Sequence, residues 1–199
     1  MKGLKEALEL VQEELDEKDA VREIAIKASR EIRRRAKRSI FSMHRGDDVI
    51  EELRTLRHEQ MALISTLRDY PELAHAGYVT EALQELTEAL ILYSVINGNE
   101  TPSPVELKIN AASYILGMAD VIGELRRSAV ESMKSGDEDT AGLRLEQMEE
   151  IYEAIMDLEY PSAIVNIRQK QDMARAIIEK TRGELSLSKR LMAVERTMK

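Results

Sequence analysis

Three observations predict an all-α protein. The 199 residues hold 9 Gly and 4 Pro, no Trp and a single Phe, so Leu, Ala, Glu and Arg dominate and strand formers are scarce. Apolar residues recur at spacings of three and four, the period of a half-buried helix. Breakers are few and evenly placed, as in a bundle of long helices. A single helical domain over residues 1–199 is expected, because the chain is long enough for a sizeable core and no stretch resembles an interdomain linker.

The first helix is expected from Leu4 to His44, with Val21, Ala25, Ala28, Ile32 and Ile40 close to one stripe and Gly46 as the stop. At 1.5 Å per residue such a helix is about 60 Å long, longer than a compact bundle needs, and it points to assembly beyond a monomer. Asp48 with Glu51 caps a second helix carrying Leu53, Leu56, Leu63 and Leu67, broken by Asp69, Tyr70 and Pro71. A third covers Tyr78 to Ile96. Asn97 to Pro104 is a loop, and Ser103, Pro104 and Glu106 form a capping box that should start the helix bearing Asp120 and Glu124. Ser135, Gly136 and Asp137 end that helix, a fifth runs from Asp139 to Glu159, and Pro161 separates a last helix reaching Arg196. The total is about six to seven helices.

Zero cysteines exclude a disulfide scaffold, a thiolate zinc site and a cysteine nucleophile. The opening MKGLKEALELVQEEL is charged and amphipathic rather than signal-like, and no stretch approaches about 18 apolar residues, so a soluble cytoplasmic protein without a membrane partner is expected. The net charge is −8, but it is unevenly spread. From Arg22 to Arg45 nine basic residues face two acids, a local +7, and the remainder carries −15. Between Arg68 and Lys108 there is no Lys or Arg at all. One segment attracts anions and another attracts cations.

The run INAASYILGMADVIGEL, Ile109 to Leu125, holds two charges only, the carboxylates Asp120 and Glu124, four residues apart on one helical face. Burying them uncompensated would cost several kcal/mol each. That face therefore needs a cation, a basic partner or water. Glu85 and Glu88, three apart in ALQELTEALILYSVI, form a second pair with no basic residue near in sequence. Four carboxylates from two helices are a candidate oxygen-ligand set for Mg²⁺ or Mn²⁺, suited to metal-assisted phosphodiester hydrolysis. With 37 acids in 199 residues, however, Glu-x-x-Glu recurs by composition alone. An ion pair between Asp120 or Glu124 and the Arg22 to Arg45 helix explains that face equally well.

Arg30, Arg34 and Arg38 repeat at i+4 with Lys37 beside them, and Arg45 closes the basic run. This ridge can track a phosphate backbone or serve as a solvated, ion-paired face. With one Phe in the chain, any nucleic-acid binding should be led by the backbone rather than by stacked bases. Glu72 and His75 make a Glu-x-x-His, which di-iron bundles carry twice and this chain once. Phosphate-loop, nucleophile-elbow and zinc His-Glu-x-x-His motifs are absent from the sequence.

The spacing Glu14-Leu15-Asp16, Lys27, Ser29-Arg30, Ile32, Lys37-Arg38, Ile40-Phe41 and His44-Arg45 resembles the opening helix of the translin and translin-associated factor X family. Tyr114 to Leu125, with Arg127 and Gly136-Asp137 beyond it, is similar to the signature of the factor X branch, as is Gln84-Glu85-Leu86-Thr87-Glu88-Ala89. The resemblance implies a translin-like all-α fold of about seven helices, a closed hollow octamer enclosing RNA, and Mg²⁺-dependent endoribonuclease activity. It implies that Glu85, Glu88, Asp120 and Glu124 are catalytic metal ligands and that Lys37 and Arg127 hold the scissile phosphate. The chain lacks the basic N-terminal extension of eukaryotic factor X and has a short Asn97 to Pro104 loop, so an archaeal-type homo-oligomer is expected.

Three functions follow. The first is metal-dependent cleavage of single-stranded or short structured RNA, with Arg30, Arg34, Lys37, Arg38, Arg45 and Arg127 binding the strand. The second is a non-catalytic oligomer that binds RNA, or single-stranded DNA. In the third, acids and basic helix are salt-bridge partners inside a bundle.

Overall fold

The computed structural model describes residues 3–198 and is helical throughout its ordered elements. Its helices are α1 (Leu4–His44), α2 (Ile50–Thr66), α3 (Pro71–Ala74), α4 (Gly77–Ile96), α5 (Pro104–Leu107), α6 (Ala111–Ser135), α7 (Glu138–Met156) and α8 (Ile167–Met198). Six are long, and α3 and α5 are single turns. No strand occurs among the described residues, and none of the helices is long and apolar enough to cross a membrane.

The two central helices are α4 and α6. One flank of this pair is α1, which also carries α2, and the other is formed by α7 and α8 against α6. Ile32, Ala36, Leu86, Leu92, Val121, Ile122, Leu125 and Met148 are among the side chains almost wholly removed from water. Burying each large aliphatic of this kind contributes roughly 1.5–3 kcal/mol. The tightest approach is at Gly117, where an added Cβ would stand 2.5 Å from the Gln84 carbonyl oxygen and 2.8 Å from Thr87 Cβ. A glycine there draws α6 onto α4.

The boundaries of α1 match the expectation from its period and from Gly46, which takes φ 79° just past the helix. Only its second half joins the core, since Leu4 to Glu17 are exposed. Leu4, Leu8, Val11 and Leu15 leave an apolar stripe in water, and Leu187, Leu191 and Val194 do the same near the end of α8.

The capping box starts a different helix from the one expected. Ser103 and Glu106 cap each other's backbone N–H groups, but the helix they begin, α5, ends after one turn at Lys108, held at φ 52°. Its carbonyls are claimed by α2: Arg57 donates to Leu107 O (2.6 Å) and Glu106 O (3.0 Å), and Gln60 Nε2 donates to Leu107 O (2.9 Å). Carbonyls held sideways cannot continue the helical ladder, so α6 begins afresh with Asn110 as its cap, accepting from Ser113 N at 2.9 Å. Likewise α7 stops at Met156, short of Glu159, because Gln171 of α8 takes the Ile155 and Leu158 carbonyls.

Candidate active site

On α4 and α6 the core takes most of each circumference, and the acids occupy the strip left over. Leu86, Thr87 and Ala89 point inward beside Glu85 and Glu88, as Val121, Ile122 and Leu125 do beside Asp120 and Glu124. The close contact at Gly117 brings the two strips together. One turn on, Gln84 Nε2 donates to Asp120 Oδ2 at 2.6 Å. Glu85, Glu88, Asp120 and Glu124 line one cleft of about 510 Å³, closed on its third side by Lys37, Ile40 and Phe41 of α1, with Arg127 at its rim. All four predicted acids and two of the predicted basic residues are thus gathered.

Three of the acids already have basic neighbours. Lys37 Nζ lies 2.9 Å from Glu85 Oε1, His44 Nε2 lies 2.5 Å from Glu124 Oε2, and Lys170 of α8 donates to Asp120 Oδ1. Arg127 adds a looser contact to Glu124 at 3.8 Å. The expected contact with the basic helix is therefore realised for Glu124 alone, through His44 rather than an arginine, while Asp120 is met by α8 and Lys37 pairs with Glu85. Glu88 has no hydrogen bond or ion pair among the described residues. Burial first, and then the charges of Asp120, Glu85 and Glu124, push its carboxyl up to about 8.

The donor set suits a hard divalent cation. It offers carboxylate oxygens only, on a half-buried surface where Glu88, the acid without a basic partner, keeps its proton up to about pH 8 until a cation displaces it. The side chains do not form a closed cage: among the described residues no three His, Asp or Glu groups are placed to hold a metal ion together. Binding would require the carboxylates to turn from Lys37, His44 and Lys170 toward a shared centre.

Arg30, Arg34, Arg38 and Arg45 lie outside the cleft. All four are exposed: Arg34, Arg38 and Arg45 on the outer face of α1, and Arg30 two turns before Lys37 on the edge that carries Lys37 and His44. Arg34 pairs with Glu31 of the same helix and Arg45 with Asp47, so this ridge is partly neutralised. Arg126, next to Arg127, points the other way and ties α6 to Thr181 and Glu184 of α8. The lone Glu-x-x-His is spent locally: Glu72 pairs with Lys18 at 2.6 Å, and the His75 ring meets the Pro71 carbonyl at 2.7 Å.

Sequence reasoning missed His44, Gln84 and Lys170. His44 stands seven residues after Lys37, two helical turns along the same face, and Gln84 is four before Glu88, so helical spacing alone could have found both. Lys170 carries no local signal, because its meeting with Asp120 depends on how α8 returns across α6.

An all-α bundle with an acidic cleft between two central helices and a basic helix along its edge defines the class. The chain belongs to the translin family, whose model, described as "Translin family", matches residues 20–182. It is 40% identical over 174 residues to an uncharacterized protein of Methanocaldococcus jannaschii, covering 86% of this chain and 78% of that one. It is 30% identical to translin-associated protein X of Rattus norvegicus and 27% identical to that of Pongo abelii, in each case over 67% of this chain. The chain spans 61% of the length of those two relatives. Among solved structures it is similar to the crystal structure of AfC3PO (34% identity, TM-score 0.85, 92% of this chain and 97% of that one). It is also similar to AfC3PO in complex with duplex RNA (33% identity, TM-score 0.79, 92% and 96%).

Proposed function

We propose that this chain is a Mg²⁺-dependent endoribonuclease, able to use Mn²⁺, that works as a hollow homo-octamer on single-stranded or short structured RNA. The observation that carries the reading is the gathering of Glu85, Glu88, Asp120 and Glu124 in one cleft with Lys37 and Arg127 at its border. Similarity to AfC3PO, solved with duplex RNA, supports RNA as the ligand. The apolar stripes on the free ends of α1 and α8 support assembly, since exposed apolar surface of that extent is a mark of association.

Glu85, Glu88, Asp120 and Glu124 would hold the cation. A bound divalent ion supplies Lewis-acid stabilisation of charge on the reacting phosphate and makes water a stronger nucleophile at neutral pH. The chain's own residues do the rest. Lys37 and Arg127 bind the nonbridging oxygens of the scissile phosphate, where their charge acts on the developing negative charge. His44 and Lys170 hold Glu124 and Asp120 in the metal-free protein and would release them toward the cation, while Gln84 keeps the second oxygen of Asp120 in place. Arg30, Arg34, Arg38 and Arg45 carry the strand along α1.

A second reading, a non-catalytic RNA-binding oligomer, is favoured by one observation: Glu85, Asp120 and Glu124 already have basic partners. Cleavage of end-labelled RNA with Mg²⁺ or with chelator separates the two. The nuclease gives product that disappears on chelation, whereas the second reading gives retained RNA and no product.

A further inference from the structure

A second cleft, of about 460 Å³, lies beyond the acidic one and shares Phe41 and Arg127 with it as a common wall. Its volume is in the range of small-ligand sites. Met43, Leu92 and Ile96 line it as an apolar floor, and Arg45, Arg127 and Arg144 bring three guanidiniums to it. Arg144 of α7 is the unusual one. It is half-buried, and among the described residues its Nε is removed from water without an acceptor and its one hydrogen bond runs from Nη1 to Gln147 Oε1 at 2.8 Å. Among the described residues no carboxylate pairs with it. Burial pushes its guanidinium below the ordinary arginine value. It does not cap α4 either, because Gln147 holds the Val95 carbonyl at the end of that helix. Glu131 is the acid on this cleft's rim, and its carboxylate is engaged by Lys134 at 3.1 Å.

An arginine left half-buried without an anion is costly unless a ligand brings one, and a planar guanidinium fork is matched to phosphate. The shared wall adds an aromatic group. Phe41, the one Phe of the chain, is 50% exposed, with the Arg45 and Arg127 guanidiniums 5.2 Å and 5.6 Å from its ring centre. Aromatic rings and guanidinium planes are the surfaces on which unpaired RNA bases stack.

We propose that this cleft binds the nucleotide adjoining the cleaved bond, with its phosphate on Arg144 and its base against Phe41. The proposal rests on the RNA reading above and adds to it a subsite that positions the strand without taking part in bond breaking. Phe41 then sets a preference for an unpaired base at that position, beyond the backbone-led binding expected from composition.

The test is binding of a short fluorescent single-stranded oligoribonucleotide, in chelator to prevent cleavage, at several salt concentrations. The proteins are wild type, Arg144→Gln, Arg144→Lys, Phe41→Leu and Arg54→Gln, the last a surface control on α2. Arg144→Gln should weaken binding about tenfold and lower the slope of log affinity against log salt by about 0.7, the value for one phosphate left unneutralised on a single strand. Arg144→Lys should restore the slope, and Phe41→Leu should weaken binding about tenfold with the slope unchanged. Thermal denaturation of each variant shows whether it is folded, and the salt slope separates a missing phosphate partner from a smaller fraction of active protein. Wild-type binding with Arg144→Gln and Phe41→Leu both indistinguishable from Arg54→Gln overturns the subsite and leaves the RNA reading standing. Failure of the wild type to bind RNA overturns both.

Discussion

Replacing Glu88 by Gln removes the one cleft carboxylate with no cation beside it, and the effect on stability should depend on pH. In the metal-free protein burial and the neighbouring acids raise the Glu88 carboxyl from 4.5 to about 8, while in the unfolded chain it titrates near its ordinary value. A carboxyl raised in this way favours the fold fully below about 4.5, and that contribution is lost as the pH climbs through about 8. At about 1.4 kcal/mol per pH unit of difference the ceiling on the loss is about 5 kcal/mol. Glu88 is partly exposed and its surroundings relax when it ionises, so about 2 kcal/mol is the expected figure. The amide of Glu88→Gln has no charge to bury and lacks this pH term. The assay is denaturant unfolding in chelator at about pH 5 and about pH 9, at one protein concentration because assembly contributes to stability. The advantage of the variant over wild type should grow by about 2 kcal/mol between the two. An advantage that is flat with pH, or shrinks, refutes the claim that Glu88 sits unneutralised among the other three acids.

Gly117→Ala should destabilise the fold by about 1–3 kcal/mol, because the new methyl group meets a backbone carbonyl that cannot yield; unfolding at wild-type denaturant concentration would contradict the tight α4–α6 contact. Arg34→Ala with Arg38→Ala should weaken RNA binding and reduce its salt slope by about 0.7–0.9 for each phosphate no longer neutralised, leaving thermal stability close to wild type. An unchanged slope in filter-binding or anisotropy titrations would remove the outer face of α1 from the RNA path.

The long helices were legible because local signals and tertiary packing agree there. The period of Ala25, Ile32 and Ile40 together with Gly46 marks the course and the end of α1, and Gly136 at φ 78° ends α6 where expected. Local and tertiary signals part company at α5. Ser103, Pro104 and Glu106 cap a helix as their chemistry dictates, but its length is decided by Arg57 and Gln60, which lie 50 and 47 residues before the Leu107 carbonyl they hold. The four acids were legible as charges with too little basic company in sequence. Their company in space was legible only in part: a partner from α1 was expected and His44 supplies it to Glu124, but Lys170 comes from a helix on the other side of α6. Phe41 was read as a shortage of aromatic surface, yet its position on the wall between two clefts matters more than its count. Arg144 gave no signal, since an unpaired arginine can be recognised only when its neighbours are known.

If the α4–α6 acids support metal-dependent cleavage of RNA, the reaction must depend on the charge of Asp120. Asp120→Asn keeps the size of the side chain and the Gln84 contact while removing the charge. The decisive measurement is the cleavage rate of end-labelled RNA in Mg²⁺ by wild type and by Asp120→Asn, with RNA affinity measured in chelator on the same preparations. The variant's rate should be at least about a hundredfold lower, in line with the loss of one charge-stabilising group, with affinity within a few-fold of wild type. Equal rates for the two proteins, or wild-type cleavage that persists in chelator, would contradict metal-dependent cleavage by these acids.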